Sequence, residues 1–181
     1  MTMIALLLAA GAIGTAGSAA DHEARVRQSR CDAAVAAIPA PPAGDVYYSP
    51  EATRPFSIAL RPGVLGIEWR GERPQTSTLS TFEASRGQSA LVCENARQKA
   101  AAGATLISAA QAQDLLATAG FEGKQKFVQR ISLPALNATG DEALVEIVTS
   151  TNRFGGGAYL VLLRKIDGEW QVVGRKALIA S

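Results

Sequence analysis

An α+β fold, with an N-terminal helix and further helices packed on one antiparallel sheet, follows from three features of the sequence. Near the start, Cys31, Ala34, Val35 and Ile38 recur at i, i+3, i+4 and i+7, which places them on one face of a helix. In the last third, apolar residues alternate with others at the period of a strand whose two faces differ. Within that third, Asp167-Gly168 is the two-residue signal of a tight hairpin.

The first twenty residues read as a signal peptide. Met3 to Gly14 is apolar without a break, and Thr15 to Ala20 thins to small residues before the first charge, Asp21. Ser18 and Ala20 offer the small side chains a signal peptidase accepts, so cleavage is expected between Ala20 and Asp21. No Lys or Arg precedes the apolar run, which is atypical for an export signal. A retained anchor is the competing reading, but a spanning helix needs roughly 17 to 25 apolar residues. The strongly apolar part ends at Ile13. A lipoprotein signal is disfavoured because Cys31 follows Arg27-Gln28-Ser29-Arg30. Residues 21–181 then form a single α+β domain, periplasmic or secreted, with no membrane contact after cleavage.

His22 to Ile38 favours helix, and Pro39-Ala40-Pro41-Pro42-Ala43-Gly44 ends it as a stiff connector over 39–44. Phe56 to Leu60 and Val64 to Trp69 read as strands joined at Pro62-Gly63. The polar stretch from Arg70 to Gln88 reads as loop, with room for a short strand near Leu79 to Phe82. Ala90 to Ala101 has a helix-favouring composition that leaves a strand start open. Ser108 can cap a helix over Ala109 to Ala119, with Gly120 after it and Ala112, Leu115, Leu116 and Ala119 on its apolar face.

A four-stranded meander is expected over residues 127–180. Its strands are Phe127–Leu133, Ala143–Thr149, Tyr159–Ile166 and Glu169–Ile179. The tight turn sets Ile166 opposite Glu169, Lys165 opposite Trp170, Leu163 opposite Val172, Val161 opposite Gly174 and Tyr159 opposite Lys176. Tyr159, Val161, Leu163, Trp170 and Val172 then share the face expected to receive the helices. The other face mixes Leu160, Leu162 and Val173 with Arg164, Gln171 and Arg175.

Together, Ile131-Ser132, Gly140-Asp141, Ala143-Leu144-Val145, Gly157, Tyr159, Leu162-Leu163, Lys165, Asp167-Gly168 and Trp170 to Val173 resemble the C-terminal meander of small exported bacterial proteins of unknown function. The order of helix then meander also resembles the cone-shaped fold of nuclear transport factor 2-like, ketosteroid isomerase-like and cystatin-like proteins. That likeness implies a pocket between sheet and helices, and transfers no site residue.

Chemistry is scarce. The chain carries 18 Lys and Arg against 16 Asp and Glu, a net charge of +2 with the signs interspersed, and no concentrated basic stripe of a nucleic-acid binder. Two cysteines in an exported chain, Cys31 and Cys93, are expected to form a disulfide; two unrelated buried thiols are the alternative. His22 is the only histidine and stands at the start of the mature chain, so a Ser-His-Asp or Cys-His mechanism lacks a base and an ordinary zinc site lacks ligands. No catalytic residue, cofactor or metal is expected. Asp141-Glu142 reads as a solvated turn, and Gly155-Gly156-Gly157, which precedes a strand and not a helix, as a hairpin tip and not a phosphate loop. Arg153-Phe154 is either a partner-binding tip or an exposed loop. Asn137-Ala138-Thr139 fits the N-glycosylation pattern, which would mark an exposed turn. Glu146, central in a strand, suits a solvated face near Arg130 or Arg175; the alternative is a general base in an apolar pocket.

The reading these observations favour is an exported, non-enzymatic domain that binds an unknown protein or small-molecule partner. Its rivals are a small-ligand carrier or enzyme of the cone-shaped class, and an inhibitor-like or structural envelope factor.

Overall fold

The computed structural model describes residues 14–51, 68–84, 87–118, 125–152 and 155–180. In chain order the elements are α1 (Gly14–Ala37), β1 (Asp45–Tyr48), β2 (Arg70–Gly71), α2 (Thr76–Ala84), a 3-10 turn (Ala90–Val92) and α3 (Glu94–Gly103). There follow β3 (Thr105–Leu106), α4 (Ala109–Thr118), β4 (Lys126–Ile131), β5 (Ala135–Leu136), β6 (Glu142–Ser150), β7 (Gly156–Ile166) and β8 (Glu169–Ala180). The fold is α+β, and its strands form one sheet in the order β2-β8-β7-β6-β4-β1-β3, with β5 paired to β6.

The meander is as expected: β4, β6, β7 and β8 run antiparallel side by side. The sheet as a whole is mixed, because β1 lies parallel to both β3 and β4. Parallel neighbours need a long crossover, and the chain between β1 and β4 supplies it. β1 itself, Asp-Val-Tyr-Tyr, directly follows the proline connector and had no counterpart in the sequence reading; its β-branched and aromatic residues are the signal it carries. The strands expected at Phe56 to Leu60 and in most of Val64 to Trp69 lie outside the described residues.

Both sheet faces are covered, which corrects the expectation of one half-polar face. On the first face, Val145, Ile147, Val161 and Leu163 pack under Ala33, Ala34 and Ala37 of α1 and Ala96 and Ala100 of α3. Alanines at these positions let the helices lie close to the sheet and to each other. On the second face, Leu144, Leu160, Leu162 and Leu178 pack under Phe82 of α2. Where loop or a short strand was expected, Thr76–Ala84 is thus a helix. The segment from Ala90 resolves into the 3-10 turn followed by α3.

Ser108 caps α4 as expected: its Oγ accepts from the Gln111 backbone N–H at 3.2 Å, and Gln111 Oε1 accepts from the Ser108 N–H at 2.8 Å. At the hairpin, Asp167 and Gly168 have φ of 52° and 86°, the left-handed geometry that a type I′ turn demands. The expected register holds from Ile166–Glu169 to Leu163–Val172. A bulge then moves Val161 opposite Arg175 and Tyr159 opposite Ala177, which carries Arg175 to the first face.

Candidate functional site

Among the described residues, Cys31 and Cys93 form a disulfide with their Cα atoms 5.4 Å apart, tying α1 to the start of α3. Beside it opens a groove of about 380 Å3. One wall is the stripe Glu23, Val26, Arg27, Arg30 and Cys31 of α1. These positions continue, at intervals of three and four, the stripe that buries Ala34 and Ala37 further along. The helix therefore turns its inward face, arginines included, toward a gap.

The opposite wall is Val92 of the 3-10 turn with Leu133 and Gln88. Val92 is 68 % exposed, the most exposed of the large apolar side chains described. Arg27 pairs with Glu23 across one helical turn at 3.3 Å, a solvent-exposed contact worth little. Among the described residues Arg30 makes no ion pair, and its Nε is shut off from water without an acceptor. The groove thus joins an apolar surface to two guanidinium groups and one carboxylate.

A second polar group lies on the first sheet face. Tyr48 on β1 stands beside Gln129 on β4, which stands beside Thr149 on β6, with Tyr159 on β7 near them. Gln129 Nε2 reaches Thr149 Oγ1 at 3.4 Å, while Gln129 Oε1 is buried without a donor. Burial, with the Tyr159 phenol adding to it, pushes the Tyr48 hydroxyl up to about 12; burial also raises Tyr159, against the pull of Arg175. Both phenols are neutral donors at physiological pH.

The acidic residues behave differently from the sequence reading. Glu142 is 1 % exposed, not solvated. Its Oε1 accepts from the Gln75 N–H at 2.7 Å and from Thr78 Oγ1 at 2.6 Å, so it caps the start of α2. Its Oε2 accepts from Arg164 Nε at 2.9 Å, and Arg164 reaches on to Glu72. Glu146 is fully buried on the second face beside Leu144 and opposite Leu160. Its burial overturns the solvated-face reading, and the bulge sends Arg175 to the other face.

Asp141 is the exposed member of its turn, its carboxyl held below its ordinary value by hydrogen bonds from Thr139 and Asn137. Asn137 is 6 % exposed, and its Oδ1 accepts from the N–H groups of Gly140, Asp141 and Glu142. Its Nδ2 donates to Asp141 at 2.7 Å, so the amide builds the turn and is no exposed acceptor for a glycan. Gly155 to Gly157 do lead into a strand, β7, whose hairpin partner β6 ends at Ser150. Arg153 and Phe154 lie outside the described residues, as does the Ala20–Asp21 site's upstream apolar run; Ala20 and Asp21 themselves fall inside α1. His22 is exposed on the same helix.

No group of three His, Cys, Asp or Glu among the described residues could hold a metal ion, and no described helix is long and apolar enough to cross a membrane. Comparison with family models, with curated proteins and with solved structures finds no match to this chain.

Proposed function

We propose that this chain is an exported, non-enzymatic binding domain, periplasmic or secreted, that receives a small ligand in the groove beside the disulfide. The observation that carries this reading is the groove itself: the inward stripe of α1 presents Arg27 and Arg30 to a gap walled by the exposed Val92. Apolar surface with a few placed polar groups is what ligand sites offer. The Cys31–Cys93 bond supports the export half, since thiols pair stably in oxidising compartments.

The experiment is native mass spectrometry of protein released from the periplasm or medium. The expected result is a mature chain beginning at Asp21, no free thiol, and a small non-covalent adduct that Val92→Asp removes. A chain retaining Met1 in the membrane fraction, or two free thiols before reduction, would defeat the export reading.

A second reading places the ligand between sheet and helices, as the resemblance to the nuclear transport factor 2-like cone implies. Buried Gln129 Oε1 without a donor favours it. An adduct kept in Val92→Asp and lost in Gln129→Leu would move the site there.

A further inference from the structure

Resting on the binding reading above, we propose that the groove beside the disulfide selects a single-chain amphiphile ending in a carboxylate. Three observations define that class. Val26, Val92 and Leu133 with the disulfide give the groove an apolar lining, with Gln88 beside it as an uncharged polar side chain, and this lining suits a hydrocarbon segment. The volume of about 380 Å3 is that of a small-ligand site, enough for a short acyl chain and too little for a folded partner.

Charge completes the selection. Two arginines against Glu23 leave one net positive charge on the helical wall, which matches a monoanion and disfavours the double charge of a phosphate. Arg27 is already engaged by Glu23, whereas among the described residues Arg30 makes no ion pair and its Nε lacks an acceptor. Arg30 is therefore the guanidinium with hydrogen-bonding capacity to give, and its planar fork fits a carboxylate with two parallel bonds. In the filled groove Arg30 turns that edge to the ligand head, and the hydrocarbon lies against Val92.

The test is calorimetric titration of the oxidised mature protein with decanoate, decan-1-ol and acetate, with methyl resonances of Val92 and Leu133 followed by NMR. Decanoate is expected to bind saturably at one site and shift both residues. Acetate, lacking the chain, and decan-1-ol, lacking the charge, are each expected to bind at least about tenfold more weakly.

Arg30→Gln should weaken decanoate by about tenfold or more, while Arg25→Gln should leave it unchanged. Arg25 is exposed elsewhere on the same helix and removes the same charge. Should Arg30→Gln fold poorly, Val92→Asp at the exposed opposite wall must abolish binding instead. Equal binding of decan-1-ol and decanoate, equal effects of the two arginine variants, or shifts that spare Val92 would overturn the proposal. A native adduct that decanoate fails to displace overturns the carboxylate class and leaves the binding reading standing. No adduct and no decanoate binding removes both.

Discussion

Tyr48 is held away from water, and this sets how the protein meets base. Its hydroxyl ionises near 12 in the folded chain against 10.0 for the ordinary side chain. The folded state keeps its proton longer, so the stability linked to Tyr48 is complete below pH 10 and drains away as the pH climbs toward 12. At about 1.36 kcal/mol per unit, the loss is of order 2 to 3 kcal/mol. Urea unfolding from pH 9 to 12 should show that decline in the wild type and a shallower one in Tyr48→Phe, with Tyr159 supplying the remainder. Identical slopes would mean that Tyr48 reaches water in solution. None of this was legible in the sequence, where Tyr48 closes the short run Asp45-Val46-Tyr47-Tyr48 between a proline connector and Ser49-Pro50. Glu142 and Asn137 show the same limit. Local composition marks their segment as a turn, which it is. The buried carboxylate of Glu142, however, is met by Thr78, 64 residues distant in the chain, and no local pattern encodes that.

The β7–β8 hairpin is the element that the sequence determines best. Asp167-Gly168 alone fixes the turn, and pairing follows from it up to Leu163–Val172. Leu163→Ala removes a fully buried side chain and should cost about 2 to 5 kcal/mol. Trp170→Ala should be comparable, since its ring packs against the first core and lies 5.4 Å from Lys165 Nζ. Gln171→Ala, on an exposed side chain, should stay within about 0.5 kcal/mol. Equal losses at Trp170 and Gln171 in denaturant unfolding would mean a different face is buried. Beyond Leu163 the register escaped prediction because the bulge has a tertiary cause. β2 pairs with β8 through Gly71 and Gly174, and a Cβ on Gly174 would strike the Glu72 carbonyl. The missing α2 has a similar origin: its Ser- and Thr-rich sequence has weak helix propensity, and the carboxylate that caps it comes from β6.

Over the whole molecule, the disulfide closes a ring with a sequence separation of 62, which restricts the unfolded chain by about 4 kcal/mol. Replacing both cysteines by serine should lower stability by about that amount in urea unfolding, and a loss under about 1 kcal/mol would mean the unfolded chain is already compact there. The pairing could be read from the sequence because a chain with two cysteines leaves each of them one partner. The groove could not, because its walls come from α1, the turn at Val92 and the end of the meander, and only the fold brings them together. The ring has a geometry of its own. β1 flanks β4 on one side of the meander, β2 flanks β8 on the other, and both belong to the closed segment between Cys31 and Cys93. Among the described residues, that segment therefore holds both flanks of four antiparallel strands, and the disulfide joins its two ends. A protease cut between β1 and β2 adds a water and releases nothing: one piece stays paired to β4 through β1, the other keeps β2 on β8, and the disulfide still links the two.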